Sequence, residues 1–501
     1  MSNQRQKLTD ENTQRETRCL ALKNFGLSSV VWLLLSGWSA LCPKAHAQGG
    51  VPLWTNLYER SGSGARALAV AVDSTGNAFV AGPPGGNGVI NYSGAGLPLW
   101  TNDYNGVVSI AVDGSGNLIG AGSTMHFGGG LDYGTIKYSN DGVPLWTNVY
   151  TDQFNDFARA VGVDGAGNVF VTGESAGPSG TVDFGTIKYS STGVSLWTNY
   201  YNGPANSIDS AFAIAVDRSG NVFVTGDSMD ASGLWDWATV KYSNSGSLLW
   251  VRRYNGPGNG DDHPSAIATD SNGNVFVAGG STGTASLDST TIGYSSSGTP
   301  LWTNRYAGLG NVFEPQALAV DANGNVFATR SAGFGTIAYS NSGVPLWTNS
   351  YGTFYTSKAL AVDSAGNVFV TGGNEALTIA YSGSGVPLWT NRYLGPADIE
   401  AIAWAVAVDS SNNVVVAGGS RDTNGNSSFV TIKYSAQPVL SPPPLGIQRV
   451  DKGILLSWTN AAFGLQSAPT VTGTYTNLPG ATSPFTSPIS ETKQFFRLKA
   501  N

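Results

Sequence analysis

Aromatic and acidic residues that interrupt a repeated pattern offer most of the chemistry in this sequence. Exposed aromatic rings beside Asp and Asn suit stacking on sugars or contact with a protein partner. The candidate ligand-binding residues are His126, Phe127, Tyr133, Phe154, Phe157, Trp235, Trp237, His263 and Trp404. The alternative is that these side chains pack the loops onto the strands beneath them. No nucleophile–base motif accompanies the two histidines in this set.

Several carboxylates recur at a nearly constant offset before a repeated aspartate. Asp156, Asp209 and Asp262 lie eight positions before it, and Glu314 lies seven before it. On strands that line one channel, they would approach a common axis and could bind Ca²⁺. Alternatively, each carboxylate caps its own loop. A pair drawn from Asp156, Asp209, Asp261 and Asp262 would instead suit a carbohydrate-active enzyme, a glycosidase or lyase.

Three phrases, each present eight times with substitutions, make up the repeat around these residues. Leu-Trp-Thr-Asn-x-Tyr contains Trp54, Trp100, Trp146, Trp197, Trp250, Trp302, Trp347 and Trp389. Ala-Val-Asp-x-x-Gly-Asn-Val-Phe-Val contains Asp73, Asp113, Asp164, Asp217, Asp270, Asp321, Asp363 and Asp409. Thr-Ile-Lys-Tyr-Ser contains Tyr92, Tyr138, Tyr189, Tyr242, Tyr294, Tyr339, Tyr381 and Tyr434. Each unit predicts four short strands, a to d, separated by Gly, Asn, Ser and Pro.

A repeat of four strands with this period is typical of a β-propeller blade. The sequence has a spare d strand around Trp54 and ends its last unit with strand c at Tyr434. Pairing these two strands would close the ring and remove its open edges. We therefore predict an all-β fold: an eight-bladed β-propeller closed by the N-terminal strand, plus a small C-terminal β module.

The repeat resembles the bacterial SBBP-type β-propeller repeat family, which is related to NHL repeats. The resemblance covers residues 51–435 and rests on two motifs, Ala-x-Ala-Val-Asp-x-x-Gly-Asn-x-x-Val-x-Gly and Ser-x-x-Gly-x-x-Leu-Trp. It implies the propeller fold and an exported or surface protein, and it implies little about a ligand.

Most repeated residues are predicted to be scaffold. Asp-x-x-Gly-Asn reads as a tight turn in which Asp caps backbone N–H groups. The repeated Trp and Tyr rings are expected to fill the gaps between blades. The a–b and c–d turns are nearly identical and define a uniform face. The d–a and b–c connections differ between units and define a variable face, where we expect binding because loops on a rigid frame commonly carry function.

Four segments are predicted along the chain. Residues 1–47 read as a signal peptide, with a basic start, an apolar stretch and Ala45-His46-Ala47. An uncleaved anchor and a lipoprotein through Cys42 are its alternatives. Residues 48–436 form the propeller and residues 437–445 a Pro-rich linker. Residues 446–501 form a small β-sandwich-like module that resembles a fibronectin-like module through its Leu-Ser-Trp and Phe-Phe-Arg-Leu phrases.

Composition and charge narrow the function. Charged residues are only 12% and the net charge is −7, so no basic surface favours nucleic acid. Both cysteines lie in the predicted signal peptide, and we expect no cofactor beyond the Ca²⁺ considered above. We predict a monomeric, exported, non-catalytic scaffold that binds a protein or carbohydrate and has no transmembrane segment after signal cleavage. It would be periplasmic, extracellular or at the cell surface. The alternatives are the carbohydrate-active enzyme above and a purely structural surface protein.

Overall fold

The protein is described here from a computed structural model. The structure describes residues 50–59, 65–82, 88–103, 106–125, 130–151, 155–178, 180–306, 317–330, 332–352, 356–396, 400–435, 445–450, 453–459, 463–470, 475–478, 480–488 and 495–500. The predicted signal peptide and most of the predicted linker lie outside these ranges. Within them, no helix is long and apolar enough to cross a membrane.

The repeats form eight four-stranded antiparallel sheets within these ranges. β1 (Pro52–Glu59) belongs to sheet 8. Sheet 1 comprises β2 (Ala69–Val72), β3 (Ala78–Ala81), β4 (Val89–Tyr92) and β5 (Pro98–Asn102). Sheet 2 comprises β6 (Val107–Val112), β7 (Leu118–Met125), β8 (Leu131–Tyr138) and β9 (Pro144–Tyr150). Sheet 3 comprises β10 (Phe157–Val163), β11 (Val169–Ala176), β12 (Val182–Tyr189) and β13 (Ser195–Tyr201). Sheet 4 comprises β14 (Asp209–Val216), β15 (Val222–Met229), β16 (Trp235–Tyr242) and β17 (Leu248–Tyr254).

The remaining sheets repeat the same order. Sheet 5 comprises β18 (Asp262–Thr269), β19 (Val275–Thr282), β20 (Leu287–Tyr294) and β21 (Pro300–Tyr306). Sheet 6 comprises β22 (Leu318–Val320), β23 (Val326–Arg330), β24 (Gly335–Tyr339) and β25 (Pro345–Asn349). A 3₁₀ turn, Ala332–Phe334, precedes β24. Sheet 7 comprises β26 (Ser357–Val362), β27 (Val368–Gly372), β28 (Leu377–Tyr381) and β29 (Pro387–Asn391). Sheet 8 comprises β30 (Glu400–Val408), β31 (Val414–Arg421), β32 (Ser427–Tyr434) and β1.

The first strands of successive sheets contact one another, from β2 through β6 and β10 onward to β30, and β30 contacts β2. The first strand of each sheet is therefore innermost and the fourth is outermost, which is the arrangement of propeller blades. In sheet 8 the outermost strand is β1, which pairs antiparallel with β32 and places Trp54 opposite Lys433. The fold is thus all-β and propeller-like.

The Asp-x-x-Gly-Asn segments are tight turns, as predicted. In sheet 1, Asp73 Oδ1 accepts the N–H groups of Thr75 and Asn77 at 2.9 Å, and Asn77 Nδ2 donates to Asp73 Oδ2 at 2.8 Å. Gly76 takes the left-handed conformation, with φ 83°. In sheet 8 Asn412 occupies that position with φ 63°, because Asn also tolerates the left-handed region.

Repeated aromatic residues join neighbouring sheets, also as predicted. Each repeat tryptophan packs on the repeat tyrosine of the next sheet, with ring centroids 5.6–6.1 Å apart. The indole N–H of Trp197, for example, also donates to the Asn244 carbonyl in the next sheet at 3.1 Å. The fixed period therefore places one large interlocking ring at every boundary between sheets.

A β-bulge recurs in the innermost strand of six sheets. The extra residue stands five positions before the repeat aspartate, and these residues are Val108, Arg159, Phe212, Ser265, Lys358 and Trp404. A glycine lies opposite every bulge, such as Gly226 in sheet 4. A Cβ on Gly226 would lie 2.0 Å from the Ser210 carbonyl oxygen, so only glycine fits there.

The C-terminal residues form two three-stranded sheets. The first comprises β33 (Gly446–Val450), β34 (Gly453–Ser457) and β37 (Phe485–Pro488); the second comprises β35 (Phe463–Ala468), β36 (Thr476–Asn477) and β38 (Phe495–Ala500). Leu456, Trp458, Leu465 and Leu498 form their shared core.

Candidate functional site

The bulges determine which side chains of the innermost strands are exposed to solvent. A bulge turns the extra residue away from the pattern of its strand. In sheet 8, Ala403 and Ala405 are buried on either side of a half-exposed Trp404. Lys358 and Phe212 stand at the same position in their sheets and are also half-exposed. One repeated backbone feature therefore presents a different side chain from each of these sheets.

Trp404 is held between charged side chains from the two neighbouring sheets. The guanidinium of Arg66, in the segment leading into sheet 1, lies 5.4 Å from the centre of the Trp404 ring. The ammonium of Lys358, in sheet 7, lies 5.1 Å from it. Cations close to an indole face are attracted by its quadrupole. These contacts fix the ring at the boundary between sheets 7, 8 and 1.

A cleft adjoins Trp404 at the boundary between sheets 8 and 1. We call it the seam cleft, and its lining includes Arg66, Glu400, Trp404, Ser420 and Arg421. Its volume is about 100 Å³, smaller than the ~300–1,000 Å³ usual for sites that enclose a whole small ligand, so it can take only a small ligand or part of one. The backbone at its base is tied together because the Ala67 N–H donates to the Gly418 carbonyl at 3.0 Å.

The charged groups of the seam cleft are accessible. Arg421 Nη1 and Glu400 Oε2 are 3.5 Å apart, with side-chain exposures of 58% and 37%. Arg66 is also exposed. The Ser420 hydroxyl, by contrast, is buried, and no group among the described residues makes a hydrogen bond with it.

A second polar cluster lies at the variable face between sheets 3 and 4. Arg253 contacts Tyr201 Oη at 3.3 Å, the Ser228 hydroxyl, and Asp236 Oδ2 at 3.0 Å. Burial raises the pKa of Asp236, although its contact with Arg253 opposes that change. Sheet 5 repeats the cluster with Arg305, Ser281 and Asp288.

Sequence reasoning missed Arg253 and Arg305. Each follows its repeat tryptophan by three positions, as does Arg392, which pairs with Glu375 at 3.0 Å. That recurring offset was the available signal. These arginines link the outermost strands to carboxylates of their own blades, and Arg392 also donates to Tyr351 Oη of the preceding sheet at 2.9 Å.

Two predicted ligand-binding aromatics are packing residues. Trp237 is 1% exposed and its indole N–H donates to the Gly280 carbonyl of sheet 5 at 3.1 Å. Tyr133 is fully buried, and burial raises its pKa well above the ordinary value. Both lie five positions before a repeat tyrosine, as the buried Phe184 does, so this offset marks a core position. Neither ring has a surface to offer a ligand.

The other candidates differ in their surroundings. Trp235, Phe157 and His263 are half-exposed, and His263 Nδ1 lies 2.7 Å from Asp227 Oδ2 of the neighbouring sheet. Trp404 joins the seam cleft. The candidates outside the described residues are His126, Phe127, Phe154 and Glu314.

The described candidate metal ligands hold their own loops. Asp262 accepts the N–H groups of Gly256 at 2.6 Å and Thr282 at 2.8 Å. Asp209 accepts the Gly203 N–H at 2.6 Å, and burial raises its pKa despite that bond. Asp156 is fully buried. Across the ranges described above, His, Cys, Asp and Glu form no group of three suited to a metal ion.

This arrangement corrects the idea of a shared metal axis for Asp156, Asp209 and Asp262. Since Asp209 and Asp262 accept N–H groups of their own sheets, and all three carboxylates are buried, loop capping outweighs convergence. Of the four carboxylates in the glycosidase alternative, these three are buried and Asp261 is exposed.

Part of the repeat matches a known family. Residues 196–229 and 249–284 match the family described as SBBP, beta-propeller repeat. Among curated protein sequences, no significant match was found.

Solved structures provide the fold comparison. The Dos1 propeller is similar with a TM-score of 0.54 and 10% identity, covering 78% of this chain and 96% of that one. Sqt1 from Chaetomium thermophilum is similar with a TM-score of 0.51 and 10% identity, covering 78% and 98%. At such identities the likeness concerns the fold alone. Together with the matched repeats, it identifies the chain as a β-propeller repeat protein.

Proposed function

We propose that the chain is an exported, non-catalytic scaffold that binds a protein or carbohydrate through the variable face of one closed, eight-bladed ring. Pairing of β1 with β32 and contact of β30 with β2 support the closed ring. The basic and apolar segment ending at Ala47 supports export to the periplasm, the cell surface or beyond.

The observation that carries this proposal is the set of bulges. Six sheets share the bulge and its opposing glycine, yet the displayed side chains differ in charge, size and polarity. A purely structural ring has no need for Trp404 and Lys358 at half-exposed positions that other sheets fill with Val108 or Ser265. Side chains that vary at one position of a repeated frame favour recognition.

The C-terminal sheets form a second element of the proposal. Their core of Leu456, Trp458, Leu465 and Leu498 supports a small module with its own apolar interior. We place residues 446–501 in a fibronectin-like module attached by the Pro-rich linker 437–445. In this scheme the propeller carries the binding face, and the protein acts as a monomer.

A glycan array probed with the purified protein, together with thermal melts, tests the proposal. A ligand that binds only the folded state raises the melting temperature. The variant Arg159→Ala/Phe212→Ala/Lys358→Ala removes three bulge side chains, and we expect it to lose the array signal. The matched control, Arg218→Ala, removes an exposed charge from the uniform face and should retain it.

Three outcomes contradict the proposal in different ways. Turnover of a bound glycan would establish an enzyme. Binding lost in Arg218→Ala but kept in the bulge variant would move recognition to the uniform face. If neither the array nor an array of extracellular proteins binds, the purely structural alternative stands.

A further inference from the structure

We propose that the seam cleft binds a carboxylate-bearing sugar, a uronic acid residue. This inference rests on the proposed function and names the ligand class for one part of the variable face. The cleft differs chemically from the equivalent place in sheets 4 and 5, and that difference carries the inference.

In sheets 4 and 5 the serine at this place is satisfied within the protein. Ser228 and Ser281 stand six residues after the start of the second strand, as Ser420 does in sheet 8. Arg253 donates to the Ser228 hydroxyl, and Arg305 donates to the Ser281 hydroxyl. The serine position is therefore built to take a hydrogen bond from a guanidinium.

Sheet 8 keeps the serine and replaces its partners with apolar residues. By strand register, Leu57 on β1 stands where Arg253 stands on β17. Ala401 occupies the position of Asp209, eight residues before the repeat aspartate. The buried Ser420 hydroxyl consequently has no partner among the described groups and forms part of the cleft lining. A polar ligand entering the cleft would supply that hydrogen bond.

The charges around the cleft favour a carboxylate. Arg66 and Arg421 line it, against one acidic lining residue, Glu400, whose Oε2 lies 3.5 Å from Arg421 Nη1. Asp422 follows Arg421, but its carboxylate accepts the N–H groups of its own turn at 2.8 Å. This local excess of positive charge occurs in a chain whose net charge is −7. A guanidinium binds a carboxylate through two parallel hydrogen bonds.

The remaining groups favour a hydroxyl-rich ligand over a bare anion. Glu400 would repel a second anionic group but can accept hydrogen bonds from sugar hydroxyls. Ser420 can donate or accept. Trp404 and Ile402 add apolar surface of the kind that packs on the C–H groups of a pyranose. Because Arg66 and Lys358 hold Trp404, little ordering of the ring is needed on binding.

Calorimetric titration of the purified protein with D-glucuronate tests the inference, with D-glucose and acetate as matched probes. We expect glucuronate to bind at least about tenfold more tightly than either, since each probe lacks part of the recognised chemistry. Arg421→Gln should weaken glucuronate binding about tenfold, and Ser420→Ala should weaken it by a smaller factor. Arg218→Gln, which removes the same charge from the uniform face, should leave it unchanged.

Each contrary result overturns a stated part of the inference. Equal binding of glucose would remove the role of the carboxylate, and equal binding of acetate would remove the role of the sugar. Glucuronate binding unaffected by Arg421→Gln and Ser420→Ala would place the ligand outside the cleft. Absence of glucuronate binding overturns the inference alone if the array detects another ligand that depends on the bulge side chains; a silent array overturns the proposed function as well.

Discussion

The uniform and variable faces use the same four strands for opposite purposes. On the uniform face, the Asp409 carboxylate accepts hydrogen bonds from its own turn, and its Oδ2 lies 2.8 Å from Lys433 Nζ. The same ammonium donates to the Gly76 carbonyl of sheet 1 at 3.1 Å. On the variable face, the carboxylate of Asp209 is enclosed in a loop, and burial raises its pKa. The first environment stabilises a charge, whereas the second makes the same charge costly.

This contrast shows how a repeat protein separates assembly from recognition. Contacts between sheets recur through the tryptophan–tyrosine pairs and the turns of the uniform face, so each boundary is stabilised in the same way. The variable face need only avoid disturbing those contacts. Its side chains can therefore differ from sheet to sheet, as Phe212 and Trp404 do.

The largest expected effect is the loss of a buried ring that sequence alone places on the variable face. Trp237→Ala should lower the free energy of unfolding by about 4 kcal/mol, because it leaves a cavity between sheets 4 and 5 and removes the indole hydrogen bond to Gly280. Chemical denaturation followed by intrinsic fluorescence measures this change. It would establish that core packing extends up to the variable edge.

Trp235→Ala is the matched control for that substitution. The two residues lie two positions apart on β16, but Trp235 is half-exposed. We expect a cost of less than about 1.5 kcal/mol, close to that of a surface substitution. Equal costs for the two variants would contradict the assignment of Trp237 to the core and Trp235 to the surface.

The next effect concerns the glycine opposite a bulge. Gly226→Ala should destabilise the protein by about 3 kcal/mol, since its new Cβ would lie 2.0 Å from the Ser210 carbonyl oxygen and 2.7 Å from Ala211 Cα. Gly165→Ala, where a Cβ meets nothing within 4 Å, is the control. If Gly226→Ala unfolds at the same denaturant concentration as Gly165→Ala, the bulge does not require glycine, and its display of variable side chains loses its structural basis.

Much of the fold could be predicted because the same pattern of turn and aromatic residues recurs in eight repeat units. Asp-x-x-Gly-Asn specifies its turn through contacts between residues two and four apart, such as Asp73 with Thr75 and Asn77. The tryptophan–tyrosine pairing also followed, since a large ring at a fixed period must pack on something at the same period. The bulge was not predicted, because an extra residue in a strand is visible only when its pairing partner is known.

The site was harder to predict because it depends on exceptions between distant strands. Trp404 was identified from its type, but the cleft beside it also needs Ser420 and the replacement of an arginine by Leu57 from the start of the chain. Tyr133 and Trp237 were assigned wrongly since their residue types suggested a surface, whereas their offset from the repeat tyrosines marks the core. Spacing within the repeat was the better guide to burial.

The smallest expected effect tests the electrostatic contrast between Asp409 and Asp209. Burial opposes ionisation of Asp409, but hydrogen bonds from Lys433 and Asn413 outweigh it and lower its pKa. Its carboxylate therefore contributes stability at neutral pH, and that contribution is lost as the pH falls below about 4, through the folded-state pKa. Burial raises the pKa of Asp209, so its proton contributes stability at low pH that is lost as the pH rises from about 4 through the folded-state pKa.

The unfolding free energy of the wild type minus that of each Asn variant, measured against pH, isolates these contributions. The difference for Asp409→Asn should shrink on acidification, because the variant has no carboxylate to protonate. The difference for Asp209→Asn should change in the opposite direction over the mildly acidic range. Since Asn can still accept the Gly203 N–H bond, the loop contact survives and the comparison reports mainly on charge. Slopes of the same sign would mean that the two faces treat a buried carboxylate alike.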